Sequence, residues 1–367
     1  MKILYLIDTL SLGGAQRVLK GIMEHPPEGQ QLYAYALRKT PLTVSIAHPR
    51  VMVCRSGSRW SLKPFREISR IIRQEGIEIV HCQLPRSQIT AFLLKKMKFR
   101  KLRLIIHEQG DIFEPGRILP FFFRRMHRAG AEFIACSAAA CRMISKKCNI
   151  PLESILCIHN YVDLNEFSRE KILPLRESQR MMRGMGPNGV LAGFAGRLIG
   201  RKGWREVIRA AVLLRDRQNL SFLLAGAGGD EGDLLRMIRE NQLEERVQFV
   251  GYCEDMPSFY AALDVLLVPS HWEPMGITEI EAMACGIPVI ASDVEGLNEV
   301  VEDGVTALLF PAGDAEALAG CIRSMLDDAG MREKLVDNAF QRLPAFSFTG
   351  FRKKLDALYL HQKTISS

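Results

Sequence analysis

The amino-acid sequence predicts an α/β protein of two doubly wound domains, each a parallel sheet covered on both faces. Three observations carry this expectation. Short apolar runs alternate with longer amphipathic stretches along all 367 residues. Hydrophobic content of 47% lets a chain of this length bury two cores. One stretch near the middle, without any period, interrupts the alternation.

In the first half, strands are expected at about 2–7, 31–37, 77–81, 102–106, 132–136 and 155–158. Helical periodicity fills about 14–24, 63–75, 86–97, 118–129 and 137–148. The second half repeats the rhythm, with strands near 190–195, 220–225, 247–250, 264–268, 287–291 and 306–310. Its helices are expected near 203–217, 231–241, 277–285 and 314–328, with a last amphipathic one at about 349–364. Strands alternating with helices imply parallel sheets. The interruption, Ser178 to Gly189, holds three glycines and a proline and reads as a linker or surface loop. The expected domains are therefore 1–180 and 181–345, followed by 346–367, with a cleft between the two sheets. Ligands of such sheets bind at the carboxyl ends of the strands.

Composition excludes several classes. No apolar run approaches the roughly 20 residues of a membrane helix. The start, Met1-Lys-Ile-Leu-Tyr-Leu-Ile-Asp8, reads as a first strand rather than a signal peptide. The nine cysteines are odd in number and scattered, with no Cys-x-x-Cys, which points to reduced thiols in a cytoplasmic compartment. Cys136, Cys141 and Cys148 fit no zinc spacing and read as core cysteines. The net charge of +8 hides a split: residues 1–180 carry 30 of the 49 basic and 15 of the 41 acidic side chains. A cationic half beside an anionic half suggests a polyanion or an anionic surface as partner. Two basic runs, Lys95–Arg103 and Pro120–Arg128, mix arginine and lysine with aromatics and suit an anionic membrane surface. The plain alternative is a helix with one buried and one solvated basic face.

The most informative stretch is Glu273-Pro-Met-Gly-Ile-Thr-Glu-Ile-Glu-Ala-Met-Ala-Cys-Gly286. It sets Glu273 in a loop, Gly276, Ile277 and Thr278 at a helix mouth, and Glu281 inside the helix. First-turn amides attract anions, so a phosphate suits that mouth and the carboxylates suit hydroxyls on either side. That combination fits a nucleotide sugar. Gly196-Arg197-Leu-Ile-Gly-Arg-Lys202-Gly203 follows the first strand of the second half. Arg197 and Lys202 on one turn can clamp a diphosphate, Arg as a fork and Lys as a point charge; otherwise they form a solvated basic loop, where Arg201 belongs. Gly13-Gly14 opens the first helix and lets a ligand approach, unless it is a simple strand-to-helix turn. Gly226-Ala-Gly-Gly229 lacks the third glycine of a dinucleotide fingerprint, since position 231 is Glu231. It reads as a tight turn near the ligand. His107 ends a strand and is expected to face the cleft; its plain reading is a hydrogen-bonded structural histidine, and His81 and His159 are weaker candidates. No Asp-x-Asp pair is present to hold a divalent ion, so no catalytic metal is expected.

Taken together, Gly13-Gly14, His107, Asn160-Tyr-Val-Asp163 leading to Phe167, Gly196-Arg197 with Lys202-Gly203, and the Glu273…Glu281 block resemble the retaining family 4 glycosyltransferases of GT-B fold. The order of motifs matches over nearly the whole chain. Met275 stands where Phe is usual, Gln16 where Glu often follows the glycine pair, and Tyr161 where Gly is common. The resemblance implies two Rossmann-like domains and a last helix that crosses back to the first. It implies that Arg197 and Lys202 hold the donor diphosphate, assisted by amides around Gly276, Ile277 and Thr278. Glu281 would bind the ribose, Glu273 the donor sugar, and the loop at Tyr252-Cys253 the base. Gly13 and Gly14 would close over the donor, and His107 would approach the reacting sugar.

The leading expectation is a transferase using a nucleotide sugar, by family frequency a UDP-sugar, without a metal. It would add the sugar to a cell-surface glycan or lipid-linked acceptor at the cytoplasmic membrane face, with retention of configuration. Acceptor contacts are expected from loops near 83–87 and 109–117. A soluble small-molecule or sugar acceptor is the runner-up. A nucleotide-dependent oxidoreductase is disfavoured by the failed glycine fingerprint. A non-enzymatic polyanion- or nucleic-acid-binding protein would explain the basic half, but not the placed glutamates and paired cations of the acidic half; nucleic acid is not an expected partner.

Overall fold

The computed structural model describes residues 1–11, 13–40, 44–54, 61–110, 112 and 116–360. The chain divides into two units, Met1–Asn160 together with the chain from Arg352 onward, and Tyr161–Phe351. The first unit contains β1 (Lys2–Thr9), α1 (Gly14–Glu24), β2 (Gln31–Arg38), β3 (Val51–Val53), α2 (Lys63–Glu75) and β4 (Ile79–Gln83). It continues with α3 (Pro85–Met97), β5 (Arg103–Glu108), α4 (Ile118–Arg128), β6 (Glu132–Ala135), α5 (Ala138–Cys148) and β7 (Ile155–Cys157). The sheet order is β3-β2-β1-β4-β5-β6-β7, with every pair parallel. Residues Ile3–Leu6 of β1 are buried without alternation, as expected of a central strand covered on both faces. Helix α2 has Pro64 in its first turn and stops at Gly76, whose φ of 65° is left-handed. Cys136, Cys141 and Cys148 are buried, as expected of core cysteines.

The second unit contains α6 (Arg169–Met181), β8 (Val190–Ala195), α7 (Trp204–Leu213), β9 (Leu220–Ala225), α8 (Glu231–Glu240), β10 (Val247–Phe249) and α9 (Met256–Ala262). Then follow β11 (Val265–Val268), α10 (Ile277–Ala284), β12 (Val289–Ser292), α11 (Glu295–Asn298), β13 (Leu308–Phe310), α12 (Ala315–Asp327) and α13 (Ala329–Arg342). Helix α14 (Phe348–Leu360) begins in this unit and ends in the first. The sheet is again fully parallel, in the order β10-β9-β8-β11-β12-β13. Trp204, Phe222, Leu224 and Phe310 lie at the centre of its core. In both sheets the chain order reverses beside the first strand, at β1/β4 and at β8/β11, which opens a crevice at the carboxyl ends there.

Two expectations change. The break between units lies at Asn160/Tyr161 rather than near 180, and the stretch read as a linker begins inside helix α6. The helix is held by its arginines: Arg176 and Arg180 reach Asp264 at 2.5 and 2.7 Å and also donate to carbonyls of residues 261–263. The second correction concerns Arg103, read as part of a basic surface run. It pairs with Glu132 at 2.7 Å and donates to the carbonyls of Leu358 and Tyr359 at 2.5 and 2.6 Å. A cation there meets carbonyls of the last turn of α14, at the negative end of the helix dipole.

Arg103→Ala should therefore loosen the end of α14. Amide exchange over residues 355–360 is expected to speed up roughly thirtyfold, the equivalent of about 2 kcal/mol, with exchange in β8 and β11 unchanged. Unchanged exchange in α14 would mean that other contacts hold the helix end.

Candidate active site

The β8/β11 neighbourhood brings together two loops whose key residues are 71 positions apart in sequence. After β8, residues Gly200–Lys202 form a single 3-10 turn ending at Gly203. Gly203 has φ 72°, and a Cβ there would fall on the carbonyl oxygen of Pro269, in the loop after β11. Only glycine allows that approach. The contact sets Lys202 Nζ 2.6 Å from Glu273 Oε2, with both side chains largely buried. His271 N–H donates to the Arg201 carbonyl at 2.8 Å, and the Arg201 guanidinium stacks over Trp272 at 3.8 Å. Arg201 is thus a lacing residue between the loops, not the solvent residue its sequence position suggested. Arg197 is exposed and forms no ion pair among the described residues.

Glu273 leads into the mouth of α10, which Gly276 caps without any side-chain cap. Behind it Gly296 of α11 lies against the Glu273 carbonyl, where a Cβ would collide. Ile277 and Thr278 form the first two helical positions, whose amides have no intrahelical carbonyl to meet. Glu281 is buried and accepts a hydrogen bond from Tyr260 at 2.8 Å; the same hydroxyl lies 3.3 Å from the Thr278 carbonyl.

One residue of this site was missed by sequence reasoning. Glu279 is fully buried, and its carboxyl folds back onto Gly276, so that a Cβ at Gly276 would fall on it. Burial, reinforced by the nearby Glu273 carboxylate, pushes its pKa up to about 7; its own amide, Lys202 and the Thr278 hydroxyl act the other way. The available signal was its place three residues after the helix cap, where a glutamate turns back toward the N-terminus.

The loops after β8, β9 and β10 are joined through backbone. Gly196 N–H donates to Ala225, Leu198 N–H to Ala227 and Gly226 N–H to Gly251, at 3.0, 3.0 and 2.7 Å. A Cβ at Gly226 would meet the Gly196 carbonyl, so this glycine turn serves close packing of the rim. Tyr252 and Cys253 follow Gly251 on that rim; Tyr252 is exposed, and the Cys253 thiol donates to the Asp255 carbonyl at 3.2 Å.

In the first unit, Gly13 and Gly14 stand between β1 and α1. A Cβ at Gly13 would lie 2.7 Å from Gln16 Oε1, and Gln16 is buried with its amide donating to the Thr9 carbonyl at 3.1 Å. His107 does not stand open at its strand end. It is fully buried, with Nε2 2.9 Å from the Gln109 amide nitrogen and Nδ1 3.1 Å from His81 Nε2. His81 Nδ1 meets Tyr359 at 2.7 Å, and Tyr359 meets Tyr5 at 2.6 Å. Asn160 donates to Gln109 Oε1 at 3.0 Å, which fixes the amide's orientation. An amide nitrogen only donates, so Nε2 of His107 accepts and both rings carry hydrogen on Nδ1. Burial lowers the pKa of His107 to about 3 and holds His81 well below its usual value. In the acceptor loops named above, residues 111 and 113–115 lie outside the described residues. In the other, Leu84 has φ 73°, and Asp8 accepts the Arg86 and Ser87 amides at 3.2 and 2.7 Å.

Known proteins resemble the chain in both halves. Residues 178–342 match the model described as Glycosyl transferases group 1, and residues 21–166 match Glycosyltransferase Family 4. An alpha-D-kanosaminyltransferase of Streptomyces kanamyceticus is 28% identical over 62% of this chain, a match spanning 58% of that relative's length. The lipopolysaccharide core biosynthesis mannosyltransferase LpsB of Rhizobium meliloti is also 28% identical, over 70% of this chain and 72% of its own. Among solved structures, Anabaena HepE in complex with UDP and glucose superposes with a TM-score of 0.84 at 22% identity, covering 98% of this chain and 99% of that one. That last likeness is one of fold.

The histidine pair yields a pH expectation. Both pKa values are depressed, so the stability that the neutral rings contribute is fully present above about 6.5 and falls away as pH drops toward 3. Ring resonances of His81 and His107 should show no titration between pH 5 and 8 by NMR. A midpoint near 6.5 for either would contradict the buried, neutral relay.

Proposed function

This chain belongs to the family 4 glycosyltransferases, and from that premise we propose that it is a retaining, metal-independent transferase. It moves a sugar from a nucleotide-sugar donor, a UDP-sugar in our reading, to a hydroxyl of a cell-surface glycan or lipid-linked acceptor. The observation that carries the proposal is the Lys202–Glu273 pair set against the mouth of α10. A cation, a carboxylate and first-turn amides converge there, beside the point where the second sheet's chain order reverses.

In this reading Arg197, Lys202 and the amides of Gly276, Ile277 and Thr278 receive the diphosphate. They stabilise the charge that develops as it leaves, the task a divalent ion performs elsewhere. Glu273 orients donor hydroxyls, Glu281 holds the ribose once Tyr260 shares it, and the rim at Tyr252-Cys253 receives the base. The bond from the anomeric carbon to the diphosphate oxygen breaks with its electron pair going to the diphosphate. The acceptor oxygen bonds to that carbon on the vacated face, and its proton passes to a phosphate oxygen. Gly13, Gly14 and His107 are assigned to the sugar by the resemblance alone. Gln109 occupies Nε2 of His107, so contact between that ring and a sugar requires the amide to turn away.

For the acceptor we propose a lipid-borne one at the cytoplasmic membrane face, met by the basic face of the first unit. Helix α4 buries Phe123 and Met126 but exposes Ile118 (73%) and Phe121 (50%), with Arg125 over the Phe121 ring. The end of α3 exposes Met97 (68%) between Lys96 and Lys98. Basic side chains around exposed apolar ones fit an anionic membrane interface. No helix among the described residues is long and apolar enough to cross a membrane.

A panel of nucleotide sugars, read by thermal shift and nucleotide diphosphate release, tests the donor half. One donor should stabilise the protein and be slowly hydrolysed in EDTA as well as without it. Arg197→Ala and Glu273→Ala should each lower turnover by roughly 100-fold or more. Turnover surviving Glu273→Ala would remove the assignment, and abolition by EDTA would remove the metal-independence. Flotation with anionic vesicles tests the surface: binding should weaken with salt and with Phe121→Ala. Failure to float at any salt would favour a soluble acceptor.

A further inference from the structure

The donor site contains a group that the proposed reaction does not use. Gly276 offers the helix mouth no side-chain cap, and the carboxyl of Glu279 folds back against its backbone. That carboxyl is fully buried; Thr278 Oγ1 lies 3.2 Å from Oε2, while Oε1 has no hydrogen-bond partner. It lies at the helix mouth, against the backbone of Gly276. We propose that Glu279 controls entry to this site by its charge: ionised, it repels a diphosphate approaching the helix mouth, and taking up a proton admits it. The inference rests on the donor-site reading given above.

The charges around Glu279 explain why a proton is the key. Glu273, from the loop after β11, and Lys202, from the turn before α7, are the charged groups acting on it. Lys202 is already paired with Glu273 at 2.6 Å, so it neutralises one carboxylate and not two. The strands packed on α10, β11 and β12, carry no titratable side chain, nor does the 3-10 turn Leu343–Phe346. Helix α13 meets the far end of α10 at Gly286, through Phe340. From α9, Tyr260 bonds Glu281 and the Thr278 carbonyl. An ionised Glu279 would face the diphosphate as a like charge in a dry site. A protonated one carries no charge and has a hydrogen for Oε1 to donate to a phosphate oxygen. Its midpoint of about 7 places the change within the working range of pH.

The test compares the wild-type protein with Glu279→Gln, which is permanently neutral and near-isosteric, and with Glu279→Ala should the first variant fail to fold. The probes are UDP-glucose and inorganic sulfate, neither of which titrates between pH 6 and 8. Dissociation constants for the wild type should rise about tenfold from pH 6 to pH 8, as the competent fraction falls. For the variants they should stay level and match or better the wild-type value at pH 6. Equal pH dependence in wild type and variants, or none in the wild type, would overturn the proposal. A sulfate response without a UDP-glucose response would leave Glu279 in this role and remove that donor. No response to either probe would mean that the helix mouth is not an anion site, and both readings would fall.

Discussion

The second unit depends on one close approach, the backbone of Gly203 against the carbonyl of Pro269. It is available only to glycine, and it lies where β8 and β11 run side by side. With that approach in place, Lys202 is delivered to Glu273 without searching, and Arg201 is left to stack on Trp272. Gly296 repeats the device from behind, resting on the carbonyl of Glu273 itself. The acid at the head of α10 is therefore located by backbone contacts on two sides. Positioning by backbone loses less side-chain entropy than positioning by a long chain, and it survives changes of ligand and pH.

The first unit uses buried side chains for a comparable purpose. Tyr5, Tyr359, His81, His107 and Gln109 form a continuous hydrogen-bonded series through the interior. Each member fixes the donor and acceptor roles of the next, because a neutral imidazole offers one of each. Tyr359 belongs to α14, so the last helix contributes to the orientation of a histidine that lies 252 positions before it in the sequence. Arg103 holds the same helix by two carbonyls. Buried polar series of this kind are costly when incomplete and rigid when complete.

Most of the fold was legible because parallel strands announce themselves as short apolar runs. The spans of β8, β9, α1 and α2 agree with expectation to the residue, and the other strands to within a few. β3 was not legible, since three half-buried residues at a sheet edge carry no periodic signal. Helix α6 was hidden by its composition: Pro174 lies inside it, and its anchors are arginines that bond Asp264, so a hydrophobic pattern has little to report. In the candidate site, the runs around Lys202 and Glu273 stand out because each is a short local pattern, whereas the contact between them is made by the fold. The burial of His107 was not, because it depends on residues from β4 and α14 that only the fold assembles.

Electrostatics connects the legible part of the site to the hidden part. Three glutamates lie within one stretch of nine residues, Glu273 to Glu281, and each has a different solution to burial. Glu273 is matched by Lys202, Glu281 is bonded by Tyr260, and Glu279 meets the Thr278 hydroxyl, while burial and the Glu273 carboxylate raise its proton affinity. A ligand bringing two further negative charges into such a place requires cations that are not already committed. Arg197, exposed and outside any ion pair among the described residues, is one. The other adjustment available is to remove a charge from the protein, which a proton on the buried Glu279 carboxyl does.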